Sequence, residues 1–324
     1  MENRFETEDF ELLERTNTDF EKLVFPNLNE KELKIIISIV EIYRHIIEID
    51  KLFHIFHFNL QSMLHYYSIM NTDRIKRNNV FNHDTSDYIA INALTINLIS
   101  SGKTLTEAIE TFNADKFKNN KEIYEGFKKN CLSKKYDECF QYRLLLQLRH
   151  FSQHGHLPIV IDENNRCCID LNQLLTTPHF AHNKKLKEQM IKIRDDLESK
   201  LSDYPRINFS QSVAEFNLCI IEIYFEFLNT IEHLIQECVH NFQGLLNQRP
   251  DIINKSNDKY NGLILYRTDD DYYHFHVLFP SGNTMTMFQN IKNIVKKKLD
   301  EEKHFLEILQ TSIKPGYVTK IDNW

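Results

Sequence analysis

Along most of the chain, apolar residues recur at the three- and four-residue spacing of helices with a buried face. From about Glu30 to Ile69 the run LKIIISIVEIYRHIIEIDKLFHIFHFNLQSMLHYYSI carries apolar residues on more than one face, which predicts a central core helix. The polar stretch 71–86 reads as a connection, followed by a helix from about Asp87 to Ser100 that Gly102 stops. Thr104-Leu-Thr-Glu107 has the form of a capping box and predicts a further short helix to about Phe112. Helices near 121–131 and at about 135–154 come next, then a Lys- and Arg-rich one at roughly 183–202. A second capping box, Ser212-Val-Ala-Glu215, opens the longest apolar helix, about 212–247.

Two stretches break this period. IVID (159–162) and RCCIDL (166–171), around a turn at Glu163–Asn165, predict a small hairpin. On a strand, the vicinal Cys167 and Cys168 face opposite ways, which makes them structural. From about Lys255, GLILYRT, YYHFHVLF and TMTMF alternate with period two and predict three short antiparallel strands, closed by a Lys-rich helix at 290–312. The fold class is therefore mainly α: a helical bundle with a small β-hairpin insertion and a small C-terminal α+β appendage. It divides into an acidic N-terminal arm (1–30, a short helix or a packing arm), the bundle (31–249) and the α+β region (250–324).

Composition agrees with a breaker-poor helical chain: seven Gly and seven Pro in 324 residues, against average use of roughly 7% and 5%. The net charge of −7 argues against a general nucleic-acid binder, but it is uneven. Residues 1–32 hold ten Asp/Glu against four Lys/Arg, whereas 114–150 holds nine Lys/Arg against five acids. That second segment predicts an electrostatic footprint for a phosphate backbone through Lys128, Lys129, Lys134, Lys135 and Arg143, with His156 beyond it; a solvated helix face is the plainer alternative. Six Cys without a Cys-x-x-Cys pair, an acidic start unlike a signal peptide, and no apolar run of about 18 residues predict a cytoplasmic protein with reduced thiols, away from membranes. His54, His57 and His65 share one helix face, but the aromatics around them make them core or boundary histidines rather than half of a metal site.

The stretch LLLQLRHFSQHGHLPI (144–159) concentrates the chemistry. An apolar helical run ends in Arg149 and His150, His154 follows, and Gly155 and Pro158 break the helix. A guanidinium and an imidazole where a helix runs out are suited to gripping a phosphate and moving a proton beside it. An arginine separated by four residues from a histidine, with a polar residue after the arginine, resembles the signature of the HEPN superfamily of helical-bundle proteins. Many of these are metal-independent endoribonucleases. The family favours asparagine directly after the arginine, where this chain has His150.

RNA carries its own nucleophile, the 2′-hydroxyl, so cleavage by transesterification needs an acid/base near neutrality and a cation for the developing charge. His154 is the candidate acid/base, Arg149 the phosphate clamp, and His150 an orienting group. No cofactor is expected. The resemblance implies RNA as substrate, a homodimer with a composite site, and a bacterial toxin or anti-phage effector held in check by an inhibitory partner protein. Regular helix would set Arg149 and His154 about 140° apart around the axis, so they converge only if the helix ends or bends between them, or across a dimer. Two other readings use the same residues: a non-catalytic HEPN-like module binding RNA, a nucleotide or a protein, and a metal hydrolase with His150, His154 and His156 as ligands. The second lacks the glutamate base that a zinc protease would place between its histidines.

Overall fold

A computed structural model describes residues 10–15, 20–21, 29–70, 86–161, 166–177, 180, 184–200, 206–249, 263–269, 272–278 and 281–312. Strands β1 (Phe10–Arg15) and β2 (Phe20–Glu21) precede helix α1 (Glu30–Ile69). Then come α2 (Asp87–Lys116), α3 (Lys121–Phe127), a π-helical segment (Lys128–Ser133), α4 (Lys134–Glu138) and α5 (Phe140–Gln153). Strands β3 (Val160–Ile161) and β4 (Cys167–Asp170), helices α6 (Leu171–Thr176) and α7 (Lys184–Lys200), and strand β5 (Arg206–Asn208) lead to α8 (Phe209–Gln248). Strands β6 (Leu263–Asp269) and β7 (Tyr272–Leu278) and helix α9 (Ser281–Ser312) follow. The fold is mainly α, and no helix among the described residues is long and apolar enough to cross a membrane.

The chain forms two compact units, Met1–Glu48 with Leu228–Ile294, and Ile49–Phe227 with Val295–Trp324. In the second, aromatic rings fill the core. Phe53 meets Tyr224 at 4.4 Å between centroids, and Phe112 meets Phe227 edge-on at 5.4 Å. The Tyr224 hydroxyl, buried with its ring, donates to Asp50 Oδ1 at 2.9 Å, so its polar tip is satisfied. Helix α2 starts at a Ser86 cap, but it does not stop at Gly102. A Cβ on Gly102 would lie 2.9 Å from Phe216 Cζ, so glycine is there for close packing and the helix continues through it. Thr104 opens no new helix either; its hydroxyl donates to Ser100 O at 2.9 Å inside α2.

The expected hairpin is present and gains a partner. β3, β4 and β5 form an antiparallel sheet in that order, with Val160 opposite Cys168 and Ile169 opposite Ile207. Cys167 and Cys168 are both buried because both faces of β4 are covered, and all six cysteines are free thiols. Helix α8 begins earlier than the Ser212 box predicts. Asn208 is the cap, its Oδ1 accepting from the Gln211 N–H at 3.0 Å, while Ser212 donates to Asn208 O and to Gln141 Oε1.

In the first unit, β1 and β2 join β6 and β7 in an antiparallel sheet of order β2-β1-β6-β7. The acidic arm thus contributes strands, not the short helix considered for it. The third predicted strand, TMTMF, is instead the start of α9: Thr284 and Phe288 are both buried, four residues apart, which is helical spacing. Five alternating residues are too few to separate the two periods. Arg249 reaches Glu32 at 3.2 Å and Lys292 reaches Glu232 at 2.7 Å within this unit. The polar connection at 71–85 and the hairpin turn at 163–165 lie outside the described residues.

Candidate active site at the end of helix α5

Helix α5 starts five residues later than the sequence period suggests. The chain from Lys121 to Glu138 is helical throughout, with one π turn, and breaks only at Cys139. Cys139 is extended (φ −91°, ψ 106°), and its Sγ accepts from the Tyr142 N–H at 3.4 Å, capping α5. A hydrogen bond from Cys219 holds the Cys139 thiol below its ordinary range despite burial, and pushes that of Cys219 up. Beyond the cap, Tyr142, Arg143, Leu144 and Leu145 are all buried, so this end of the helix is enclosed on every side. Leu148 and Phe151 continue the buried face. Each such side chain stabilises the fold by about 1.5–3 kcal/mol through apolar burial.

Arg143 has no exposure and is consumed by the fold. Its Nη1 donates to the carbonyls of Tyr136 and Asp137, the latter at 3.0 Å, and its Nη2 to Gln189 Oε1. It satisfies carbonyl groups at the end of α4 and lies over the Tyr136 ring. The expected contact with RNA is therefore not open to it. A guanidinium with no solvent exposure cannot reach a phosphate while α5 stays packed.

The other end is different. Helix α5 runs regularly through Gln153, and His154 is its cap (φ −92°, ψ 17°). The His154 N–H donates to Phe151 O at 3.2 Å, and Gly155 turns the chain at φ +83°, a left-handed value that favours glycine. The helix thus ends only at His154, too late to swing that residue round to Arg149. His154 instead meets His150, one turn back on the same face. Their Nε2 atoms lie 3.3 Å apart and the rings cross edge to face at 86°. Both imidazoles are exposed. Arg149 leaves the axis about 100° from His150. It is half-buried, and its Nε is enclosed without a hydrogen-bond partner. The structure brings the two histidines together and sets the arginine on another side of the helix.

Past the break, the chain is held by a residue the sequence analysis did not single out. Asn92 on α2, fully buried, donates from Nδ2 to Ile159 O at 2.8 Å and accepts from the Ile159 N–H on Oδ1 at 2.9 Å. One side-chain amide pairs with both polar groups of one residue, as a neighbouring strand would. Its signal was a polar residue inside the apolar run IAINALTINLI. His156 stacks on Phe151 at 4.7 Å and 25°, away from the His150–His154 pair.

The basic residues ahead of α5 also divide. Lys128 pairs with Glu110 at 3.0 Å and with the Tyr124 hydroxyl at 3.4 Å. Lys135 pairs with Glu222, which Lys303 also approaches at 3.6 Å. Burial draws the Lys135 ammonium down, but Glu222 outweighs it and the net shift is upward. Lys129 and Lys134 are exposed. Among the described residues no group of three or more His, Cys, Asp or Glu side chains is assembled to hold a metal ion. Comparisons of the chain with protein-family models, with curated proteins and with solved structures gave no match.

Proposed function

We propose that the chain is a metal-independent endoribonuclease of HEPN type, cleaving RNA by attack of the 2′-hydroxyl on the adjacent phosphodiester. The observation that carries the reading is the pair of exposed imidazoles, His150 and His154, with Nε2 atoms 3.3 Å apart at the end of α5. His154 takes the 2′-hydroxyl proton as the 2′-oxygen bonds to phosphorus and returns it to the 5′-oxygen as the P–O5′ bond breaks, while His150 orients it and the substrate. Arg149 supplies the positive charge for the pentavalent phosphate. Because Arg149 leaves the helix on another side, the reading takes the composite form that the resemblance implies, in which the clamping arginine comes from a second copy. Lys129 and Lys134, exposed, are the basic residues free to follow an RNA backbone. A bacterial toxin or anti-phage effector, restrained by an inhibitory partner, is the role this chemistry fits.

A second reading, a non-catalytic module for RNA, nucleotide or protein, is favoured by the enclosed Nε of Arg149. One experiment separates the two: cleavage of structured and unstructured RNAs by purified protein in EDTA. The nuclease reading expects cleavage leaving 2′,3′-cyclic phosphate ends, reduced at least ~100-fold in Arg149→Ala and in His154→Ala. Absence of cleavage by well-folded protein, with RNA still bound, would transfer the assignment to the binding module.

A further inference from the structure

We propose that His150 and His154 form a two-imidazole site for a divalent transition-metal ion of the zinc class. The spacing is the first argument. Two Zn–N bonds of about 2.0–2.1 Å meeting at a tetrahedral angle place their nitrogens about 3.3 Å apart. The two Nε2 atoms lie 3.3 Å apart. A direct hydrogen bond between them would be at the long end of its range, and the rings, edge to face with centroids 4.6 Å apart, need only a small reorientation to aim both nitrogens at one ion.

The second argument is how the spacing is held. Both residues sit one turn apart at the end of one helix, and the His154 backbone is tied to Phe151 O at 3.2 Å. Helix pitch, rather than a loop, sets the separation. Both rings are exposed, so an ion reaches them without unfolding anything, and water can complete its coordination. The negative end of the α5 dipole lies beside them and favours a cation. His156 is not a third ligand, because its ring is stacked on Phe151.

The donor set also selects the ion. Two neutral imidazoles suit zinc, nickel, cobalt or copper, and do not suit magnesium or calcium, which take oxygen ligands. The site does not depend on RNA cleavage. Where the nuclease reading also holds, a bound ion occupies the nitrogen that moves the proton, and zinc blocks the reaction that EDTA permits.

The test is a calorimetric titration of the full chain with zinc, and separately with magnesium. His150→Ala, His154→Ala and His54→Ala are compared after circular dichroism confirms each fold. His54 is the control because it is also an exposed helical histidine, and the side chain it meets one turn away is a carboxylate, Asp50 at 3.4 Å, rather than a second imidazole. The expected result is one zinc site weakened at least ~10-fold by either of the first two substitutions, intact in His54→Ala, with no magnesium binding. Absence of zinc binding by the unmodified chain, or binding that survives His150→Ala or His154→Ala unchanged, would overturn the proposal. Neither result depends on whether the protein cuts RNA.

Discussion

The two ends of helix α5 place similar side chains in opposite circumstances. At its start, Arg143 is enclosed and its guanidinium serves the carbonyls of Tyr136 and Asp137 and the Gln189 amide. At its finish, His150 and His154 stand in solvent, touching one another. Arg149 is intermediate, half covered, with one enclosed nitrogen. Six positions along one helix separate a guanidinium enclosed in the fold, Arg143, from one that is half exposed, Arg149. Charge alone does not assign the role. What assigns it is whether the neighbouring backbone already uses the donors.

The comparison can be broken most severely at Arg143. Arg143→Ala removes three donated hydrogen bonds and opens a cavity, so it should destabilise the protein by about 3 kcal/mol or more. A melting temperature within a degree of the parent would mean that Arg143 is not structural after all. Next in size is Asn92→Ala, which removes both hydrogen bonds to Ile159 and should cost about 2 kcal/mol. Hydrogen exchange should show the Ile159 amide losing protection; retained protection would place the anchor elsewhere.

A half-buried histidine gives a third contrast with the exposed pair. Burial, with Lys298 and His54 nearby, draws His57 from its ordinary 6.5 down to about 4. Between those values the unfolded chain binds a proton that the native state refuses. Stability is therefore full above pH 6.5 and lost as pH falls towards 4. The loss is on the order of 1–2 kcal/mol, after discount for partial exposure. Denaturant midpoints at pH 7 and pH 5 should diverge in the parent and converge in His57→Gln. The smallest effect belongs to the site itself: His150→Ala and His154→Ala should shift stability by no more than about 0.5 kcal/mol. A larger loss in a melting experiment would make the pair structural and erase the contrast.

Long periodic elements were legible without coordinates, and local ones less so. The forty-residue helices α1 and α8 declared themselves by sustained apolar spacing, and the β3–β4 hairpin by two short runs around a turn. Gly102 was misleading because a glycine that stops a helix and one that admits Phe216 look identical in sequence. The Ser212 box was misleading because Asn208, four residues earlier, already caps the helix. Of the site, the positions of Arg149, His150 and His154 near a helix end were readable, and so was their angular problem. The far end of α5 was readable as well, since Gly155 placed it at about His154 and the helix runs to Gln153; the contact between the two imidazoles was not, because it depends on side-chain rotamers. Arg143 carried one clue, its flank of Tyr142, Leu144 and Leu145, which argues burial against the charge. The partners of Lys128 and Lys135 lie on α2 and α8, and no local pattern announces them.

The hold of Asn92 on Ile159 bears on what can be inserted or deleted here. The exit from α5 is fixed at one side by the left-handed Gly155 and at the other by an amide that recognises one particular residue's backbone. Between them lie only His156, Leu157 and Pro158. The identity of those three can drift, but their number cannot: one residue more or fewer would present Asn92 with the wrong peptide unit. Among relatives of this chain, this bridge should vary in composition while keeping a constant length.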